Sequence, residues 1–271
     1  MKQRVITALL LTPFAIALIL LAPSAWFAVI VAALTLLASW EWTRMSGLRS
    51  RPWRAVLVAL CALAMAALWF HADEAAGWIV VTLGCIWWFF AVAWLKHFSF
   101  AAAPTRENAA IKLAGGALAI LPAWTAVVQL HRSQASPHTW ALYALMLIWA
   151  ADTFAYLSGR RFGKKKLAPN ISPGKTYAGV YGALIGSAVI ALVGGWWLGV
   201  RGFSLAGLLV VALVAVCFSV VGDLFESLIK RHCHVKDSGA LFPGHGGAYD
   251  RLDGVFAALP FFVLGKLLLG L

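Results

Sequence analysis

The sequence predicts an all-α polytopic membrane protein of about nine transmembrane helices, with its N-terminus in the cytoplasm and its C-terminus on the opposite side. Three observations predict it. Of 271 residues, 62% are hydrophobic and only 12% are charged, whereas a soluble domain carries about 25% charged residues. Apolar runs of about 20 residues, the length that crosses a bilayer as a helix, recur along the whole chain. With nine spans, nineteen of the 22 Lys and Arg fall on the side of the N-terminus, only Arg132 and Arg201 fall on the other, and Lys266 lies within the last span. That asymmetry marks the cation-rich side as cytoplasmic.

The elements follow from the runs and their breakers. Spans are expected at about 5–22, which Pro23 stops, then 24–40, 53–70, 76–95, 112–130, 139–158 and 177–199. An eighth starts near 204, leaves the apolar zone near Gly222 and continues as helix to about 231; a ninth covers about 253–270. Pro23-Ser24 leaves little room for a loop, so the first pair could also be a re-entrant hairpin. Residues 1–110 form an N-terminal set of about four helices. Residues 111–271 form a C-terminal catalytic region with cytoplasmic loops at 159–176 and 230–252. Trp40, Trp42, Trp53, Trp78, Trp94 and Trp140 fall near span ends, where an interfacial aromatic belt is expected.

Composition also excludes functions. The net charge of +12 belongs to cytoplasmic loops and anionic headgroups, because no soluble basic domain exists to carry nucleic acid. The four Cys are scattered and give no disulfide framework. His232-Cys233-His234 lacks the further N and S ligands that zinc requires. No internal repeat supports a transporter built from inverted halves.

The long polar passage from Ser227 to Asp253 concentrates the chemistry. It holds Lys230, Arg231, Lys236, Asp237, Arg251 and the turn Pro243-Gly244-His245-Gly246-Gly247, with Asp250 and Asp253 three apart and Asp223 just before it. Carboxylates beside fixed cations suit a divalent metal and a polyphosphate. Capping and macrodipole placement explain one of Asp250 and Asp253 more easily than both. Asp223, Glu226, Ser227 and Lys230 share one helical face, while Leu224, Phe225, Leu228 and Ile229 keep the other apolar. That stripe is expected to line a cavity, with Asp223 as its best metal-ligand candidate. Asp152 lies inside the sixth span with Tyr156 on its face; it serves either a polar cavity or a structural pair with a cation such as Arg160. Ser172-Pro173-Gly174-Lys175-Thr176 resembles the end of a P-loop, but Pro169 stands where a Gly is needed and no strand is expected before it. What remains is a turn that presents Lys175 and Thr176 at a helix start, either cradling phosphate or simply capping.

At these residues the chain resembles the phosphatidate cytidylyltransferase (CDP-diacylglycerol synthase) family. The resemblance rests on Ser227, Lys230-Arg231, Lys236-Asp237, Gly239, His245-Gly246-Gly247, Asp250-Arg251 and Asp253 at fixed spacing. Gly222-Asp223, the Ser172-to-Gly179 segment and Asp152 fit it as well, whereas the N-terminal helices add only topology and Trp40-Glu41-Trp42. Ala248, Tyr177 and Ala178 depart from the family's usual residues, which implies altered packing. The resemblance implies transfer of a cytidylyl group from CTP to phosphatidate with Mg²⁺, on the cytoplasmic face of a membrane, a bacterial inner membrane being the simplest. It implies Asp223, Asp250 and Asp253 as metal residues, with Asp237 in support. Lys175, Ser172 and Thr176 are expected on the CTP phosphates, Lys230 and Arg231 on the lipid phosphate or pyrophosphate, and His245, Gly246 and Gly247 at the nucleotide. Asp152, Ser227 and Arg251 complete the expected site. Another Mg²⁺-dependent lipid-phosphate transferase, a CTP-dependent lipid kinase and a cation-coupled transporter are the alternatives. A homodimer is left open.

Overall fold

The computed structural model describes residues 2–133, 138–240 and 246–271, with side chains from Thr12. Its helices are α1 (Lys2–Leu21), α2 (Ser24–Met45), α3 (Arg51–His71), α4 (Ala75–Lys96), α5 (Arg106–Arg132), α6 (Thr139–Phe162), α7 (Tyr177–Trp197), α8 (Gly202–His232) and α9 (Tyr249–Leu268). Among the described residues seven of these, α2 to α8, are long and apolar enough to cross a membrane. The chain is therefore an integral membrane protein. α9 carries Asp250, Arg251 and Asp253 in its first two turns and Lys266 near its end.

Among the described residues the fold departs from all-α in a short hairpin. Lys166–Ala168 (β1) and Ser172–Thr176 (β2) pair as an antiparallel hairpin, with Lys166 opposite Thr176 and Ala168 opposite Ser172. A strand thus stands where a turn is expected. Thr176 is the last residue of β2 and the N-cap of α7: its Oγ1 accepts from Gly179 N at 3.1 Å. The hairpin is pinned from α8, where Arg231 Nε donates to Ile171 O at 3.2 Å.

Helices approach closely where small residues face a neighbour, as lipid offers no hydrophobic drive between them. A Cβ on Gly182 would meet Ser158 Oγ at 1.9 Å, so α7 lies directly on α6; a Cβ on Gly222 would meet Asp253 O at 2.3 Å, so α8 lies directly on α9. Half of the expected Trp belt belongs to the interior instead: Trp42, Trp94 and Trp140 are all at most 5% exposed. Each interior indole needs an acceptor, and several take backbone carbonyls of neighbouring helices. Trp42 Nε1 donates to Lys112 O at 2.8 Å. Trp88 Nε1 donates to Phe256 O at 3.2 Å, a carbonyl that Pro260, four residues on and without an N–H, leaves without its helical donor. Buried residues of α2, α4 and α5 pack against α8 and α9 in one core.

Candidate active site

α6, the hairpin, α7 and α8 enclose a cavity of about 360 Å³, within the range of small-molecule sites. Asp152, Tyr156 and Arg160 line it from α6, Lys166, Gly174, Lys175 and Thr176 from the hairpin, and Ser219 and Asp223 from α8. The fold thus gathers Asp152, Lys175, Thr176 and Asp223 from segments up to 71 residues apart. Lys175 Nζ pairs with Asp223 Oδ2, and both side chains stay about one quarter exposed to the cavity. Arg160 Nη1 donates to Tyr156 Oη at 3.3 Å, and among the described residues the salt bridges include no Arg160–Asp152 pair. Gly174 has open space where a side chain would stand. β2 therefore offers backbone, a Lys and a helix start to the same space, which suits a polyphosphate.

The polar stripe of α8 does not line one cavity, as expected; it divides. Asp223 faces the cavity, whereas Glu226 and Lys230 turn to the start of α9. Lys230 Nζ donates to Glu226 Oε2 and to Asp250 Oδ1, both at 2.7 Å. Asp250 is occupied on its other oxygen too: Oδ2 accepts from Ser238 N at 2.9 Å, Ser238 Oγ at 3.0 Å and Gly247 N at 2.7 Å. Burial raises the Asp250 carboxyl, but the bonds from Lys230 and the Gly247 N–H help to outweigh it, and its pKa is held down at about 2. Gly246 (φ +81) and Gly247 wrap this carboxylate; a Cβ on Gly246 would stand 2.4 Å from Asp250 Oδ2. Asp253 Oδ1 accepts from Gly254 N at 2.8 Å. Arg231 serves the hairpin, Asp237 is exposed, and Ser227 is half-buried on α8 between the two clusters. Arg251 lies one residue after Asp250 and lines an apolar groove beside Trp149. His245 lies outside the described residues.

Sequence reasoning missed Glu41. Its carboxylate, on α2, accepts from Ser238 Oγ at 2.8 Å, Ala248 N at 3.1 Å and Tyr249 N at 2.9 Å. One signal was present: an acid directly at the end of an apolar span, between Trp40 and Trp42, ordinarily has a partner.

Among the described residues no three His, Cys, Asp or Glu stand together as a metal cage; His232 Nε2 is bonded to Phe98 O at 2.7 Å and Cys233 Sγ donates to Ile229 O. Mg²⁺ makes a different demand, for one or two carboxylates completed by water and substrate phosphates. The donor set fits that demand. A Cβ on Gly254 would stand 3.1 Å from Asp223 Oδ1 and 2.6 Å from Ser219 Oγ, so the glycine gives that oxygen room towards α9. Glu226 Oε1, one helical turn on, is buried without a hydrogen-bond partner.

Residues 2–268 match the Cytidylyltransferase family. A phosphatidate cytidylyltransferase of Pseudomonas aeruginosa is 40% identical over 262 residues, covering 97% of this chain and 95% of that protein. One from Haemophilus influenzae is 32% identical over 282 residues, covering 97% of each. One from Bacillus subtilis is 40% identical over 131 residues, 45% of each chain. With the family match and the first two relatives spanning nearly its whole length, the chain belongs to the phosphatidate cytidylyltransferase family.

Proposed function

We propose that the protein transfers the cytidylyl group of CTP to phosphatidate at the cytoplasmic face of a bacterial inner membrane, giving CDP-diacylglycerol and pyrophosphate. The observation that carries the reading is the cavity that joins Lys175 to Asp223 beside Asp152, in a chain whose relatives bear this activity in their names. In the reaction a lipid phosphate oxygen forms a bond to the CTP α-phosphorus as the bond to the β-phosphate oxygen breaks. The nucleophile is already anionic, so no strong general base is needed. The barrier lies in bringing phosphate to triphosphate, and preorganised cations and N–H donors lower it.

The residues divide that work. Lys175 answers the phosphate charge, while its pairing with Asp223 fixes the ammonium in the cavity. Thr176 starts α7, and Ser172 and Gly174 bring β2 backbone within reach of the phosphates. Asp223 and Asp253 are the residues that would hold Mg²⁺, which supplies charge neutralisation on the polyphosphate when bound. Asp152 would orient a water or hydroxyl in the cavity. Lys230 and Asp250 hold α8 against the start of α9 and so fix the spacing of Asp223 and Asp253. Gly246 and Gly247 let the chain approach closely enough to do so. The excess of Lys and Arg at this end of the bundle supports the cytoplasmic side, where CTP is found.

The test is turnover by the purified protein in detergent, with CTP and phosphatidate, with and without Mg²⁺. CDP-lipid that requires both lipid and metal is expected. Turnover only with a polyprenyl phosphate or a lipid alcohol would move the protein to another transferase or kinase class.

A further inference from the structure

The start of α9 lacks a cap of its own. Ala248 stands at the N-cap and makes no side-chain cap bond. Yet its first N–H groups need acceptors, and an anion there is favoured by the helix dipole. Glu41 fills the role from α2, 207 residues away, by accepting from Ala248 N and Tyr249 N. Its neighbour Trp42 stacks on Tyr249 with ring centroids 4.8 Å apart, so α2 meets α9 through both residues. One turn along, Arg44 Nη2 donates to Ser238 O at 2.6 Å. Ser238 itself joins the two halves: its hydroxyl lies 2.8 Å from Glu41 Oε2 and 3.0 Å from Asp250 Oδ2. The backbone is cut to fit this carboxylate. A Cβ on Gly239 would meet Glu41 Oε1 at 2.0 Å, and one on Gly247 would meet Oε2 at 2.3 Å.

We infer that Glu41 is a positioning residue for the reaction: from the N-terminal half of the chain it clamps Ser238 and the start of α9, and so sets Asp250 against Lys230 and Asp253 beside Asp223. Glu41 does not line the cavity and touches no reacting group. It acts through the Ser238–Asp250 contact and through the helix start. The inference rests on the cytidylyl-transfer reading for its kinetic consequence, but the clamp itself does not.

The test uses the full chain in detergent with Glu41→Gln and Ser238→Ala. Gln keeps the size but turns an amide NH₂ towards N–H donors. We expect kcat per folded enzyme to fall about 10- to 100-fold, as for a misplacement of about 1 Å at a catalytic group. Amide hydrogen exchange at Ala248 and Tyr249 should rise while exchange in α6 and α7 stays unchanged. Ser238→Ala should reproduce part of the kinetic loss, and the double variant should lose less than the product of the two. Should Glu41→Gln not fold, Ser238→Ala alone decides, because it spares the Glu41 bonds to Ala248 and Tyr249. Unchanged kcat per folded enzyme in Ser238→Ala, losses that multiply independently, or unchanged exchange at Ala248 and Tyr249 would each overturn the inference. A wild-type protein that makes no CDP-lipid would defeat the functional reading instead, and the exchange result would still judge the clamp.

Discussion

Asp250→Asn separates two roles that both predict lost turnover. If the carboxylate were an open metal ligand among other acids, neutralising it would relieve repulsion and leave the protein unchanged or stabilised. The structure gives it three N–H donors instead, Lys230 Nζ, Ser238 N and Gly247 N, at 2.7 to 2.9 Å, with the Ser238 hydroxyl, shared with Glu41, at 3.0 Å. Its side chain is only 8% exposed. An Asn keeps one oxygen and turns an NH₂ against the remaining donors. Lys230 retains Glu226, so the cost falls short of a fully orphaned buried charge, about 3–5 kcal/mol. It exceeds one charge-assisted hydrogen bond, about 1.5–3 kcal/mol. A loss of about 2–4 kcal/mol should lower the thermal unfolding midpoint by about 5–10 °C in detergent. The assay is thermal unfolding by intrinsic fluorescence, with no metal or nucleotide added. A midpoint equal to or above that of the wild type would refute the anchoring role and return Asp250 to the metal site.

Further predictions follow from the same geometry. Because folding lowers the Asp250 pKa from an ordinary value near 3.8 to about 2, its stabilisation is complete above about pH 4 and fades as pH falls towards 2. The midpoint gap between wild type and Asp250→Asn should therefore narrow over that window, which unfolding scans at stepped pH will read. Asp223→Ala and Lys175→Ala should each reduce turnover by about 10²-fold or more while the protein stays folded, because both face the cavity and neither anchors the core; substantial activity in either variant would remove that residue from the site. Arg231→Ala, which releases Ile171 O, should cost about 1 kcal/mol of stability and raise the KM for CTP more than it lowers kcat, as steady-state kinetics can show. Chelation of divalent metal should abolish turnover without moving the unfolding midpoint by more than a degree or two, since no cage of three ligands is built into the described residues.

The helices were legible because in a bilayer an apolar run of about 20 residues has few alternatives to a helix. Even the extension of α8 past Gly222 to His232 could be read from its polar stripe. The hairpin was not legible. Strands of three and five residues such as KLA and SPGKT hold no usable alternation, and the Arg231 bond to Ile171 that joins their turn to α8 spans 60 residues. Trp42 and Trp140 lie near span ends, as belt residues do, but only the packing of Tyr249 and Phe262 against them marks them as interior. The site residues were mostly named from residue type, yet their grouping was not. Nothing in the sequence tells that Lys230 fills one oxygen of Asp250 while Lys175 is paired with Asp223. Glu41 was named within Trp40-Glu41-Trp42 but given no role, because its partners stand about 200 residues away.

The central claim is the transfer of the cytidylyl group itself, and the fate of the CTP phosphorus atoms tests it most directly. The purified protein is given phosphatidate, Mg²⁺ and CTP labelled in turn at the α- and the γ-phosphorus. Cytidylyl transfer predicts that the α label enters the lipid fraction and the γ label leaves as pyrophosphate. A γ label in the lipid, with CDP released, would show phosphoryl transfer and contradict the account.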